Sequence, residues 1–257
     1  MKILAVGDIV GESGVKKLKE ELPRIKKEEN IDFVITNGEN SAGGMGINER
    51  NFNDILEAGT NVVTMGNHTW AKKDIFKFID HPQILRPANY PKGVVGKGLG
   101  IYECKNKKIA VMNFMGRVDI NILTENPFLL AKDMVNDLQG KVDIRVIDFH
   151  AEATAEKIAM ARYLDGKITC IFGTHTHVQT ADEQILPEGT AYITDIGMTG
   201  PKDSVIGMNA EASIKRFETT LPEKYKLAEG ECILNAVIFE INDNNNKVTN
   251  VKRIYIR

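Results

Sequence analysis

Through the first half of the chain, short apolar runs alternate with segments whose apolar residues recur every three or four positions. Residues 2–7, 32–36 and 61–64 read as buried strands. Between them, residues 12–29 place Val15, Leu18, Leu22 and Ile25 at helical spacing, and residues 48–58 do the same with Phe52, Ile55 and Leu56. Pro23 is expected to bend the first of these helices or to split it. Asn48 is a weak start signal for the second, because no acidic capping-box partner follows it. Residues 71–79 predict a third helix. Strands alternating with helices favour a sheet covered on its faces by helices.

The pattern changes after the glycine-rich turn region 93–100. Residues 99–104 and 108–113 read as adjacent strands about the polar turn Lys105-Asn106-Lys107. Residues 124–138 and 154–164 predict helices, and 144–149, 167–172, 183–186 and 190–194 predict strands. Residues 231–242 and 247–256 form an antiparallel hairpin signal about an Asn-rich turn, with a free edge that a second copy of the chain would protect. Residues 213–221 read as a helix end or a loop, and 115–121 as an irregular connection.

Of the 257 residues, 42% are hydrophobic and 26% charged, enough for a sizeable core and against wholesale disorder. No composition shift marks a linker and no internal repeat is present, so one domain over residues 1–257 is expected. Lys and Arg number 33 against 35 Asp and Glu, a balance that disfavours broad nucleic-acid binding. No apolar run reaches the roughly 18 residues of a spanning helix, and Asp8 interrupts the N-terminal apolar stretch too early for a secretory signal. Cys104, Cys170 and Cys232 are far apart, odd in number and set among apolar neighbours. They read as buried thiols of a reducing compartment, with a cytoplasmic location expected.

Chemistry collects at the ends of the predicted strands. Of the five histidines, His81 stands apart, while His68 follows the run 62–65, His150 follows 145–148, and His175 and His177 follow 168–172. Asp8 follows 3–6, and Glu39 and Asn40 follow 33–36. In an open α/β sheet, sites form beyond the carboxyl ends of the strands, so strands of one direction would bring these groups together. Carboxylate, carboxamide and imidazole in one place suit Fe²⁺, Mn²⁺, Co²⁺ or Zn²⁺. With no cysteine near, a thiolate zinc site is disfavoured. For both rings of His175-Thr176-His177 to enter one site, the turn after Phe172 must curve, because alternate residues of an extended chain point to opposite sides. Two divalent ions set against Asp8, Glu39 and a hydroxide would leave such a centre positive and attractive to phosphate. The glycines of Gly43-Gly44-Met45-Gly46 and Gly7 to Gly14 fit neither a phosphate-binding loop nor a dinucleotide fingerprint, and read as tight turns beside the metals.

The segments Gly7-Asp8, Gly38-Glu39-Asn40, Gly66-Asn67-His68, His150 and Gly173-Thr174-His175-Thr176-His177 resemble the calcineurin-like binuclear metallophosphoesterases. Longer matches, among them Thr64 to Trp70, Asp148 to Thr154 and Thr194 to Gly200, resemble its YmdB-like branch of bacterial 2′,3′-cyclic nucleotide phosphodiesterases. The resemblance implies an α/β fold, a four-layer α/β/β/α sandwich of two mixed β-sheets flanked by helices. It implies two divalent transition-metal ions, iron or manganese in preference to zinc. Asp8 and His177 would bind the first, Asn67, His150 and His175 the second, and Glu39 would bridge them. His68 would be the general acid for attack by a metal-bridging hydroxide on a small phosphodiester or cyclic nucleotide; RNA ends are a further candidate substrate.

The chain also departs from the common superfamily pattern. Val10 stands where an imidazole is usual, leaving Asn40 as the replacement ligand. Thr69 stands where an acid usually follows the histidine, so His68 lacks a carboxylate neighbour in sequence. The alternatives are a nucleotide phosphomonoesterase, with Arg117 as a candidate extra cation, and a metal-stabilised regulatory or scaffold protein with little turnover.

Overall fold

The computed structural model describes residues 1–224 and 226–257. In chain order its elements begin with β1 (Lys2–Val6), β2 (Asp8–Ile9), α1 (Gly11–Glu29), β3 (Phe33–Asn37), α2 (Glu49–Glu57), β4 (Val62–Thr64) and β5 (Ile84–Leu85). They continue with β6 (Leu99–Cys104), β7 (Lys107–Met115), α3 (Pro127–Asp137), β8 (Ile144–His150), α4 (Thr154–Tyr163) and β9 (Cys170–Thr174). The last part holds β10 (Gln184–Ile185), β11 (Ala191–Ile193), β12 (Met198–Pro201), α5 (Ala210–Thr219), β13 (Cys232–Ile241) and β14 (Val248–Ile256).

Two mixed sheets result. In the first, β1, β3, β4 and β5 run parallel, and β13 returns antiparallel beside β1. In the second, β7, β8, β9 and β11 run parallel, with β6 and β10 antiparallel at its edges. Side chains alternate across β1: Leu4 and Val6 meet Leu18, Leu22 and Ile55 of α1 and α2, while Ile3 and Ala5 face Val146 and Phe172 of the opposite sheet. Both faces are buried, which is why this strand reads as an unbroken apolar run. On the far side of the second sheet, Ala131, Val135 and Met160 of α3 and α4 cover Phe114 and Phe149. The architecture is the expected α/β/β/α sandwich. Each such Leu, Ile, Val or Phe taken from water contributes roughly 1.5–3 kcal/mol.

Several boundaries differ from expectation. Pro23 neither splits nor ends α1: it lies on the exposed face, and Leu18, Leu22 and Ile25 hold the opposite face against the core. Asn48 does cap α2, its side chain accepting the Asn51 N–H at 2.7 Å. Residues 71–79 yield only a short 3₁₀ turn, Lys73–Lys77, before the chain enters β5 at Ile84. Asn126 and Pro127 start α3 later than its periodicity implies. Residues 213–221 mostly belong to a true helix, α5, whose cap Asn209 accepts from Ala212 N at 3.0 Å. The strands β2, β5 and β12 are too short, or too rich in Gly and Pro, to show in the pattern. Among the described residues β14 pairs only with β13, so its other edge has no strand partner. No helix among them is long and apolar enough to cross a membrane.

A polar seam joins the two sheets at the carboxyl ends of their parallel strands. Asp148 on β8 accepts from Thr64 Oγ1 at 2.5 Å, Thr174 Oγ1 at 2.7 Å and Asn37 Nδ2 at 3.3 Å. Asn113 on β7 donates to the carbonyls of Met65 and Leu85 at 2.6 and 3.0 Å. This seam forms the floor of the histidine site.

Candidate metal centre

The parallel strands of both sheets end at this seam, and their next residues carry the site. Glu39, His150 and His175 gather with their ligand atoms within 4.8 Å of one another. At the centre is His150 Nε2, with Asn67 Oδ1 at 2.8 Å, Glu39 Oε1 at 3.0 Å and His175 Nδ1 at 3.0 Å. The outer hydrogen bonds decide which nitrogens hold protons. Thr174 Oγ1 gives its one hydrogen to Asp148, so the neighbouring His150 Nδ1, 2.9 Å away, donates to Thr174. His175 Nε2 donates to Glu152 Oε2 at 3.0 Å, and His177 Nδ1 donates to the carbonyl of Ile206 at 2.8 Å. Each neutral ring therefore turns a lone pair inward. Four such donors facing each other across about 3 Å repel unless a positive charge lies among them, either a metal ion or the proton that Glu39 draws onto His150 in its absence. The nitrogen and oxygen donor set suits a divalent transition metal.

A second group adjoins the first. Asp8 Oδ1 is buried without a hydrogen-bond partner and lies 4.0 Å from His177 Nε2. Asn40 Oδ1 is likewise buried and unpartnered, and its Nδ2 lies 3.0 Å from His177 Nε2 and 3.5 Å from Glu39 Oε1. Orphaned oxygens at such depth are costly without a cation. Val10 packs against Gly200 and Gly207 and offers no ligand, but a parallel bridge ties it to Asn40. Glu39 sits between the two groups, its Oε2 accepting the backbone N–H of His68 at 3.0 Å.

The His175-Thr176-His177 turn curves as expected. His175 and His177 both adopt positive φ, 97° and 64°, a conformation that costs a non-glycine residue about 1–3 kcal/mol. Asp195 holds it there, its Oδ2 accepting Thr176 N at 3.2 Å and Thr176 Oγ1 at 2.7 Å. Lys157 neutralises Asp195 at 2.7 Å, both side chains being buried.

Electrostatics without a bound cation are poised for exchange with protons. Burial pushes the Asp8 carboxyl up to about 7, despite His177 and His150 nearby. Burial would lower His150, but the Glu39 carboxylate outweighs it and raises the imidazole; Glu39 is held low in return. Burial, with His150 beside it, drives His175 down to about 3. A cation must displace the protons of Asp8 and His150, so metal affinity is expected to rise as pH climbs through about 7. Calorimetric titrations at pH 6 and 8 check this; equal affinities would refute it.

Gly66 permits this packing. A Cβ there would fall 2.4 Å from His150 Nε2 and 2.5 Å from Glu39 Oε2. Gly66→Ala is expected to weaken metal binding by at least about 10–100-fold, measured by metal content after dialysis, with the circular dichroism of the fold retained.

A profile of the YmdB-like protein family matches residues 4–254. The chain belongs to that family. It is 46% identical over 257 residues to the 2′,3′-cyclic-nucleotide 2′-phosphodiesterase of Bacillus subtilis (strain 168), covering all of this chain and 97% of that protein. A crystal structure of a hypothetical protein from Thermus thermophilus superposes with a TM-score of 0.94 at 35% identity, covering 99% of this chain and 98% of the other. That of a novel phosphatase from Mycoplasma pneumoniae gives 0.94 at 38%, covering 100% and 93%. The YmdB-like family is a branch of the calcineurin-like metallophosphoesterases.

In this YmdB-like chain, the eight residues named from sequence as candidate metal ligands or general acid lie close together. His68 lines a cavity of about 400 Å³ that also reaches His175 and His177. Its ring Nε2 lies 3.3 Å from Asn67 Nδ2, and Thr69 turns away to the carbonyl of Gly66 at 2.6 Å. His81 instead packs edge-on against Phe52. Arg117 is exposed and off the cavity; its backbone N–H binds Glu156. The cavity cations are Arg216 and Lys224, which no motif indicated. The orienting groups Asp148, Glu152 and Asp195 lie inside the matched motifs, yet no local pattern marked their role.

Proposed function

We propose that this chain is a metal-dependent phosphodiesterase that opens 2′,3′-cyclic nucleotides, with residues 1–257 acting as one domain. The observation that carries this is the inward convergence of lone pairs from Glu39, Asn67, His150 and His175 beside a histidine-lined cavity. The 2′,3′-cyclic nucleotide activity named for the Bacillus subtilis relative supports the substrate class.

Asn67, His150 and His175 would hold one divalent ion and Asp8, Asn40 and His177 another, with Glu39 between them. Two such ions, manganese or iron in preference to zinc, would supply Lewis acidity toward a phosphoryl oxygen and an acidified solvent nucleophile. The protein's own part is orientation. Thr174, Glu152 and the Ile206 carbonyl fix the three ring tautomers, and Asp195 fixes the turn. His68 borders the cavity beside Asn67 and would give a proton to the departing ribose oxygen. The edge of β14 that pairs with no strand among the described residues supports self-association.

Arg216 and Lys224 on the cavity wall give a phosphomonoesterase its best footing, since a dianion calls for extra positive charge. Protein stripped by chelator and reloaded with Mn²⁺ or Fe²⁺ separates the two. Hydrolysis of 2′,3′-cyclic AMP should return as loading approaches about two ions per chain, and exceed that of 5′-AMP. Turnover of 5′-AMP alone would favour the monoesterase, and full activity in the stripped protein would refute metal dependence.

A further inference from the structure

We propose that α5 and the loop before it form the nucleoside-binding wall of the cavity, with the Phe217 ring as the platform for the base. The proposal rests on the phosphodiesterase function above and assigns a subsite to the part of the substrate that does not react. The cavity starts at the histidines and runs outward to Val205, Ile206, Met208, Ala212 and Phe217. A phosphate alone would use only the histidine end, and an apolar wall offers it nothing. A base attached through ribose would reach that wall and bury part of it.

Phe217 is 79% exposed and pairs with no other ring among the described residues. Large exposed aromatics beside a phosphate site are ready stacking surfaces, and every base has a face to offer. Arg216 and Lys224 line the same cavity and have no carboxylate partner among the described residues. Unpaired cations next to an apolar wall match a nucleoside phosphate better than an apolar peptide.

The wall is also tied to the centre. The Ile206 carbonyl that orients His177 belongs to a residue whose side chain lines the cavity. Ile206 has φ of +48°, unusual for a β-branched residue, so the surrounding structure holds it in place. Beyond it, Ser213 Oγ caps back to the Asn209 carbonyl at 2.9 Å, and Lys215 pairs with Glu223 at 2.6 Å, binding α5 to the segment that follows.

The test compares 2′,3′-cyclic AMP with a 1-O-methylribose 2′,3′-cyclic phosphate, the same ester without a base. Phe217→Ala should raise KM for the nucleotide roughly 10-fold with little change in kcat, while KM for the base-free ester moves less than about twofold. Phe217→Trp should restore the parent KM. Equal effects on both esters, or none, overturn the proposal. So does a fall in mass by light scattering with an unchanged nucleotide KM, which would make α5 a contact with a second copy. Binding of adenosine 3′-monophosphate, followed by calorimetry on metal-loaded protein, needs no turnover. If the parent hydrolyses neither ester, the proposed function fails, yet weaker nucleotide binding by Phe217→Ala still supports the subsite and equal binding refutes it.

Discussion

His68→Ala is expected to lose roughly 10²–10⁴-fold in hydrolysis of a 2′,3′-cyclic nucleotide while keeping its metal. The contact of His68 with Glu39 runs through the backbone N–H, which alanine retains. Its ring meets the Asn67 amide nitrogen, on the opposite side of that group from the oxygen facing His150. Removing the ring therefore leaves the donor cluster in place and takes away the proton for the leaving oxygen. The loss should shrink for an ester with an activated aryl leaving group, which needs little protonation. Metal content and the rates for both substrates are the measurements. A parent-level rate on the cyclic nucleotide with full metal would remove His68 from the chemistry.

The second large effect lies one strand away. His150→Ala is expected to lose metal and activity together, with affinity down by more than about 10²-fold. His150 Nε2 is the atom on which Glu39, Asn67 and His175 converge. Without it Glu39 stays buried, at 1% exposure, with its main positive partner gone. Removing one partner of a buried charge pair costs about 3–5 kcal/mol, so the metal-free variant should also melt earlier than the metal-free parent. Retention of the parent's metal content after dialysis would show that His150 is not a ligand.

These two variants are meant to part company, and the reason was only half visible in the chain. His68 and His150 both follow apolar runs and both belong to matched motifs. Periodicity places each at a strand end but says nothing of where a ring points. The same limit applies to Asn40, whose position beside Val10 depends on a bridge between distant segments. Arg117 shows it from the other side: a cation in an irregular loop read as a candidate for phosphate, yet the loop lies off the cavity.

From sequence came the alternation of strands and helices, the burial of the parallel strands, the strand-end groups Asp8, Glu39, Asn40, His68, His150, His175 and His177, and, through the family resemblance, Asn67. These are local properties: burial on both faces demands continuous apolar runs, and functional groups follow where those runs stop. Tertiary structure decided the rest. The opposed lone pairs arise because Thr174, Glu152 and the Ile206 carbonyl, remote in sequence from one another, each take one ring proton. Asp195 bends the histidine turn from a separate strand end, and α5 supplies Phe217, Arg216 and the cavity wall with no motif to announce it. Direction, tautomer and enclosure depend on contacts between segments far apart in the chain, and a one-dimensional pattern holds no distance between them.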